Sequence, residues 1–299
     1  MGKYSIKDLE KLSGIKAHTL RIWEQRYGVL VPLRSDGNIR YYSDDELKKI
    51  LKIGFLNQLG HKISKLAHLS EKEISDRVEE HSQHNTSYAA HVDNLVVAMI
   101  EMNEHKFETE LSNCIIKVGF ENCFTNIIHP FFTKVGILWL TGNINPVQEH
   151  LISNLIRQKL IVAIDNQKII PLANRKKFML FLPENEWHEL GLLFYAYIIK
   201  KNGYKLFYLG QSVPLLDLKK VFSIHDPDFL MTSLLSFNSE TSLSDFTGML
   251  SQEFKAKKVL IMGKYANEVV KYAPSNIQFI ETIQSLNAFL SDIDDMKNN

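Results

Sequence analysis

The chain has 299 residues, enough for two or three domains and too many for one ordinary core. Its hydrophobic content of 45% and charged content of 23% are typical of a soluble globular protein, and no apolar run reaches the length of a membrane span. The first ten residues lack the apolar core of a signal peptide, so we predict a cytoplasmic protein. The two cysteines, Cys114 and Cys123, have neither zinc-ligand spacing nor the density of a disulfide scaffold, and we expect buried thiols.

The net charge of +1 conceals an uneven distribution along the chain. Residues 1–73 hold 14 Lys and Arg against 9 Asp and Glu, a net charge of +5, while the remainder carries −4. A basic module joined to a mildly acidic one favours a nucleic-acid partner at the N-terminal end. Because solvated faces often carry such an excess, the charge alone does not decide the function.

The first region, residues 1–75, begins with two short helical segments, SIKDLEKLSG and KAHTLRIWEQRYG. Ser5 and the pair His18-Thr19 are polar residues suited to helix starts, and Gly14 and Gly28 are suited to helix ends. Two helices joined by a tight turn and followed by a basic hairpin predict a winged helix-turn-helix, whose second helix enters the DNA major groove.

The hairpin is predicted from VLVPLRSDGNIRYYS, with a turn at Asp36-Gly37. Ser43 then opens a helix over DDELKKILKIGFLNQLG, and KISKLAHLS predicts a further helix. In the alternative interpretation, Trp23, Tyr27 and one wing tyrosine are core residues and the arginines are merely solvated; we accept it for Trp23 and Tyr27 but not for the wing arginines. The residues predicted to contact DNA are polar positions of the second helix and the wing: His18, Thr19, Arg21, Arg26, Arg34, Asn38, Arg40, Tyr41 and Tyr42.

This region resembles the N-terminal domain of MerR-type transcriptional regulators, because a first helix is followed in order by TLRIWEQRYG, P-x-R and R-Y-Y. The resemblance implies a homodimer, or a tetramer built from it, that binds an inverted repeat in double-stranded DNA and distorts the DNA there.

Residues 76–90 are polar and are predicted as a linker. Residues 91–172 contain four helical stretches with short connections, which predict a four-helix bundle. From 173 to 299, five apolar runs alternate with amphipathic stretches, which indicates a doubly wound parallel sheet of the Rossmann-like kind. The predicted fold class is therefore multidomain, α in the first two parts and α/β in the third.

The stretch EWHELG lies between the first strand and helix of this sheet domain, where open α/β sheets bind ligands. A loop histidine there usually only makes a hydrogen bond, but the stretch resembles the D-x-H-x-x-G signature of cobalamin-binding domains, with Glu186 in place of the aspartate. The resemblance implies that His188 is the lower axial ligand of the cobalt and that Gly191 lets the chain pass close to the corrin.

Two later elements resemble the same family. Ser233 and Leu235 fit the S-x-L element that lines the nucleotide tail of cobalamin. Gly263 matches the first glycine of a family pair, whereas Lys264 occupies the second position, a departure that would narrow the tail pocket.

In the helical region, Asn145 is a predicted N-cap and Pro146 is the predicted first residue of the following helix. The same region carries a further resemblance. One motif begins at Trp139 and continues, after nine residues, with Glu149 and His150. It resembles the W-x9-E-H motif of light-sensing MerR-type cobalamin regulators of the CarH, LitR and CarA kind. In that family the trio covers the upper face of the corrin, where an adenosyl group lies. The photoreceptors carry a histidine directly after the tryptophan, where this chain has Leu140. Without the other motifs, Trp139 would be interpreted as bundle core and Glu149 and His150 as solvated.

Three functions remain open at this stage. The first is a MerR-type regulator that senses a cobalamin, either adenosylcobalamin or methylcobalamin, with or without light. The second keeps the DNA-binding dimer but has a degenerate sensor that acts through protein contacts. The third, an enzyme, is the weakest because the three regions leave no domain to hold a substrate.

Overall fold

The computed structural model describes residues 2–84, 87–167, 175–235, 243–263 and 273–295. The chain divides into two compact units, Met1–Leu155 and Ile156–Asn299. Within the described residues, no helix is long and apolar enough to cross a lipid bilayer.

The first unit opens with a helix-turn-helix and a two-stranded wing. Its elements are α1 (Ile6–Ser13), α2 (Ala17–Tyr27), β1 (Leu33–Arg34), β2 (Arg40–Tyr41), α3 (Asp44–Gln58), α4 (Ile63–Leu66) and α5 (Glu71–His84). The strands β1 and β2 are antiparallel, and an isolated bridge between Tyr4 and Tyr42 ties the start of the chain to the end of the wing.

The ends of these helices follow from local side-chain chemistry. Ser5 caps α1 in a reciprocal capping box with Asp8, and Ser43 accepts a hydrogen bond from the backbone N–H of Glu46 at the start of α3. Gly14 and Gly28 end α1 and α2 in the left-handed conformation, which glycine adopts without steric cost. The second helix begins before the predicted His18-Thr19, because Lys16 occupies the N-cap position.

The wing turn differs from the expectation in one detail. Asp36 and Gly37 do form the turn, but the residue with positive φ is Asn38, at 61°. The N–H of Asn38 donates to the carbonyl of Ser35, and the N–H of Ser35 donates to the carbonyl of Ile39, so the chain closes a longer hairpin loop than a two-residue turn. Asparagine tolerates this conformation better than most residues with a side chain.

The rest of the first unit is helical. It contains α6 (Tyr88–Ile100), α7 (Glu104–Val118), α8 (Phe120–Cys123), a π-helical turn (Phe124–Ile128), α9 (His129–Leu140) and α10 (Pro146–Asp165). Asn145 caps α10 by accepting from the N–H of Gln148, and Pro146 takes the first helical position, as the sequence predicts. The boundary between the two units falls inside α10.

The stretch predicted as a linker, residues 76–90, contains more helix than its polar composition suggests. Helix α5 continues to His84, and α6 begins at Tyr88. The long helix α5 was not predicted, because few apolar residues mark its buried face; only Ile74 and Val78 are buried among its described side chains.

The second unit is a five-stranded parallel sheet with helices between the strands. Its elements are β3 (Lys177–Pro183), α11 (Leu190–Lys201), β4 (Lys205–Val213), α12 (Leu215–His225), β5 (Phe229–Ser233), α13 (Leu243–Glu253), β6 (Lys258–Met262), β7 (Ile277–Phe279) and α14 (Ile283–Asp295). A further predicted helix at residues 265–272 lies outside the described residues.

The strand order is β4-β3-β5-β6-β7, and every pairing is parallel. The central strand β3 is buried along nearly its whole length, which explains why its sequence is continuously apolar instead of alternating. The order reverses between β3 and β5, so their carboxyl ends form the switch point at which folds of this kind bind ligands. The doubly wound sheet expected from the sequence is confirmed.

Candidate functional sites

The loop after β3 carries His188 at the switch point of the sheet. Strand β3 ends at Pro183 and helix α11 begins at Leu190, so the histidine lies directly before the helix. Its side chain is 59% exposed, whereas that of Glu186, two residues earlier, is 4% exposed.

The buried carboxylate of Glu186 organises this loop. Its Oε1 accepts hydrogen bonds from the backbone N–H groups of Trp187 and His188, each at 3.0 Å. Its Oε2 accepts from the backbone N–H of Leu235 at 3.0 Å, in the loop after β5. One side chain therefore joins the two loops at the switch point, and its four accepted bonds, counting the one from the imidazole, compensate for its burial.

The same carboxylate sets the tautomer of His188. Nδ1 of the imidazole lies 2.7 Å from Oε1 of Glu186. Because an ionised carboxylate only accepts, Nδ1 carries the proton and the lone pair of the neutral ring is on Nε2. Carboxylates orient metal-ligating histidines in this way, so the donor set fits a metal bound through an imidazole nitrogen. The replacement of aspartate by Glu186 keeps the orienting bond.

A second buried acid, Glu189, follows the histidine and was not predicted. Its Oε2 accepts from the hydroxyl of Tyr208 at 2.8 Å, and its Oε1 forms an ion pair with Nε of Arg157. Burial and the hydrogen bond to Glu189 raise the pKa of Tyr208 well above its ordinary value, so the phenol stays protonated and donates. The network joins the start of α11 to β4 and α10. Its partners are distant in sequence, and no local pattern reveals them.

The two later sequence elements lie beside this loop. Ser233 ends β5 and is buried, while Leu235 is 39% exposed. Gly263 follows β6 with φ of 108°, and a Cβ built on it would lie 2.3 Å from the carbonyl oxygen of Leu234. Only glycine fits there, because the two backbones approach so closely. Lys264 lies outside the described residues.

Gly191 is a different kind of glycine. It lies in the first turn of α11, and a Cβ built on it meets none of the other described atoms within 4 Å beyond its own turn of helix. The fold therefore leaves open space at this position beside His188.

In the first unit, Trp139, Glu149 and His150 flank the turn between α9 and α10. Trp139 is 44% exposed and Leu140 90% exposed, so neither is bundle core. Glu149 Oε1 bonds to the hydroxyl of Ser153, and the side chain of His150 is 70% exposed, with Nε2 3.9 Å from Glu149 Oε2. Two exposed apolar side chains at the end of α9 provide a surface for an apolar part of a ligand.

The predicted DNA-contacting face is largely accessible. His18, Arg21 and Arg26 are exposed on α2, Thr19 is half-buried, and the Leu20 and Trp23 side chains face the core. Amphipathic α2 therefore presents a polar face outward, as a recognition helix requires.

The wing holds its arginines by local bonds. Arg34 Nη1 donates to Asn38 Oδ1 at 2.6 Å across the hairpin, and Arg40 pairs with Glu24 at 3.6 Å. Tyr41 is half-buried and lies under the Lys3 ammonium group, 5.3 Å from the ring centroid. Arg34 and Arg40 lie directly opposite each other on the two strands, so their side chains project from the same face of the hairpin, where they could contact a phosphate backbone.

Tyr42 corrects the predicted set. It is 2% exposed, and its hydroxyl donates to Glu24 Oε2 at 2.6 Å. Because Tyr41 and Tyr42 are adjacent in an extended segment, only one of them faces the core. Tyr42 is that core residue, so we remove it from the DNA-contacting residues.

Comparison with known families gives a match for two regions of the chain. Residues 4–73 match the MerR HTH family regulatory protein, and residues 92–163, which cover most of α6 to α10, match the B12 binding domain. The chain therefore combines a MerR-type helix-turn-helix region with a B12-binding domain.

Full-length relatives support the same architecture. The regulator is 27% identical over 255 residues to the HTH-type transcriptional repressor CarH of Myxococcus xanthus, covering 83% of this chain and 84% of that protein. It is 25% identical to the HTH-type transcriptional repressor CarA of the same organism, covering 98% of each. A corrinoid protein for monomethylamine from Methanosarcina barkeri shares the fold with a TM-score of 0.53 at 16% identity, over 66% of this chain and 96% of that one.

Proposed function

We propose that this MerR-type regulator senses adenosylcobalamin, with His188 as the lower axial ligand of the cobalt. The observation that carries the proposal is the Glu186 carboxylate, which is buried, holds the proton of His188 on Nδ1 and joins the loops after β3 and β5. A lone loop histidine without this support would have no fixed orientation. With it, Nε2 is the ligating nitrogen of a carboxylate–histidine pair.

The other residues of the sheet domain have supporting roles in the proposal. The open space at Gly191 leaves room for the corrin beside the histidine, since the fold itself does not require a glycine there. Ser233, Leu235 and Gly263 line the route of the nucleotide tail between the loops after β5 and β6. When bound, the cobalamin supplies a cobalt–carbon bond that light can break.

In the first unit, we assign the upper-face contacts to Trp139, Glu149 and His150. The exposed indole of Trp139 would pack on the adenosyl group. Glu149, restrained by its bond to Ser153, would accept from polar groups of the ligand. These roles predict that adenosylcobalamin binds more tightly than methylcobalamin, which has only a methyl group to place there.

The function is tested by absorbance and thermal unfolding of the full chain in the dark, with adenosylcobalamin or methylcobalamin. A ligand that binds only the native state must raise the melting temperature. We expect a changed cobalamin spectrum and a stabilised protein. The second candidate function is a regulator whose effector domain works through protein contacts without a cofactor. In that case excess cobalamin should change neither its own absorption spectrum nor the melting temperature of the protein.

Light sensing is weakened by Leu140, because an isobutyl side chain has no lone pair with which to coordinate a metal. We expect that illumination of the adenosylcobalamin complex gives no stable spectrum with two histidine ligands, and a smaller change in oligomeric state than a photoreceptor with histidine at this position. The variant Leu140→His supplies the missing imidazole and should give that spectrum after green light. A stable two-histidine spectrum in the unaltered chain would refute this expectation, and its loss in His150→Ala would identify His150 as the ligand.

The proposed DNA target is an inverted repeat bound by a homodimer. If Arg34 on the wing contacts a phosphate, Arg34→Ala should weaken binding to all sequences and reduce the salt dependence by about one unit of slope. Arg21→Ala on α2 should weaken binding more. The control is Lys220→Ala, an exposed change in the sheet domain. If Arg34→Ala and Lys220→Ala give the same salt dependence of DNA binding, the wing does not contact the DNA.

A further inference from the structure

A second group of metal-ligating side chains lies inside the helical part of the first unit, apart from any motif used above. An imidazole nitrogen of His91, a carboxylate oxygen of Glu110 and the thiol sulfur of Cys114 all lie within 4.8 Å of one another. His91 is on α6, whereas Glu110 and Cys114 are four residues apart on one face of α7.

The burial of this group is unusual for its chemistry. His91 is 2% exposed, Cys114 is fully buried, and the side chain of Glu110 is 18% exposed. The imidazole Nδ1 lies 2.6 Å from Glu110 Oε1. In the part of the chain that the structure describes, the buried Nε2 of His91 has no hydrogen-bond partner. A buried polar atom without a partner destabilises the fold unless something binds it.

The surrounding structure brings further groups to the same place. Cys123, also fully buried, follows the break between α7 and α8 at Gly119, whose φ of 81° turns the chain. The Cys114 thiol contacts both Cys123 and His91. The π-helical turn begins at Phe124, the next residue, and such turns often occur at functional sites.

A cavity connects the group with the neighbouring helices. Its volume is about 440 Å³, and His91, Glu110, Asn94 and Asn113 line it together with Lys52 of α3 and Ser75 of α5. Two of the three donor residues, His91 and Glu110, therefore border a cavity large enough to admit a metal ion.

We propose that His91, Glu110 and Cys114 form a binding site for a divalent transition metal of the zinc class. The donor set of one imidazole, one carboxylate and one thiolate suits Zn²⁺, whereas Mg²⁺ and Ca²⁺ take oxygen ligands only. Binding would release to solvent the thiol proton of Cys114 and the proton of the His91 nitrogen that ligates the ion. The site requires no cobalamin and involves only residues of the first unit.

The test uses Co²⁺ as a spectroscopic probe of the full, cobalamin-free chain, kept reduced and freed of metal by a chelator. Thiolate coordination of Co²⁺ gives a near-ultraviolet charge-transfer band. Because the chain has only two cysteines, the band cannot come from the His188 loop. We expect the band to saturate at one equivalent of Co²⁺, to be displaced by Zn²⁺ and to disappear in Cys114→Ser.

Two further variants keep the outcome interpretable. Glu110→Gln preserves shape and should weaken Zn²⁺ binding about 10- to 100-fold, whether the carboxylate ligates or orients. The control is His81→Ala, which removes one imidazole of the His61–His81 pair, whose Nε2 atoms lie 3.0 Å apart. This pair contains no thiol, so the variant should leave the charge-transfer band unchanged. Circular dichroism checks that each variant is folded. Absence of the band in the wild-type chain, or its persistence in folded Cys114→Ser, would overturn the proposal.

Discussion

Two histidine–carboxylate pairs have almost the same hydrogen bond and very different surroundings. Nδ1 of His188 lies 2.7 Å from Glu186, and Nδ1 of His91 lies 2.6 Å from Glu110. At the sheet the acid is buried and the imidazole is 59% exposed, whereas in the helical unit the imidazole is 2% exposed and the acid is the more accessible partner. The exposed imidazole can meet a large ligand from outside the fold, but the buried one can meet only a small ion.

The surroundings also differ in chemistry. The Glu186 carboxylate accepts backbone N–H groups from two loops, so it supports the switch point of the sheet. The neighbours of His91 are the Cys114 thiol and the Glu110 carboxylate, and contacts with both raise the pKa of the imidazole to about 9. Our proposals pair the first with a cobalamin and the second with a bare metal ion, and variants that affect only one pair test this distinction.

The largest expected effect is a difference in stability between alanine variants of two glycines near the His188 loop. Gly263→Ala should destabilise the protein on the order of 3 kcal/mol, because the new Cβ would meet the Leu234 carbonyl and φ is 108°. Gly191→Ala should leave stability unchanged or raise it by at most about 1 kcal/mol, since the position is helical and open. It should nevertheless weaken cobalamin binding. Denaturant unfolding and cobalamin titration measure the two effects, and unchanged affinity in Gly191→Ala would show that the corrin does not approach this position.

The carboxylates give a smaller, reciprocal effect. Glu186→Gln should weaken cobalamin binding about 10- to 100-fold and leave Zn²⁺ binding unchanged, because the amide no longer holds the His188 proton as an ionised acceptor does. Glu110→Gln should weaken Zn²⁺ binding and leave cobalamin binding unchanged. Glu184→Gln, an exposed change in the same loop as Glu186, should affect neither. If Glu186→Gln and Glu184→Gln bind cobalamin equally well, the orienting role of Glu186 is wrong.

The surroundings of the two pairs also show which features of the structure can be predicted from the sequence. The strand, loop and helix around His188 could be predicted because their signal is local: an apolar run, a short polar loop and an amphipathic stretch. The helix caps at Ser5, Ser43 and Asn145 were predicted for the same reason, since each depends on residues within one turn.

Contacts between distant residues were not predictable in this way. The bond between Glu186 and Leu235 spans 49 residues, and Glu110 meets His91 only because α6 and α7 pack together. The choice between Tyr41 and Tyr42 depends on the bridge with Tyr4, which neither residue's local sequence reveals. Such contacts are set by tertiary packing, so they emerge only with the fold.

The central claim, that the exposed imidazole of the sheet domain is the cobalt ligand, is tested most directly by the spectrum of adenosylcobalamin bound to His188→Ala. The matched control is His225→Ala in the same unit, where the ring packs on Phe207 at 4.5 Å between centroids. We predict that His188→Ala loses the histidine-ligated spectrum while its fold and DNA binding are retained, and that His225→Ala keeps the wild-type spectrum. A histidine-ligated spectrum that persists in folded His188→Ala would contradict the account.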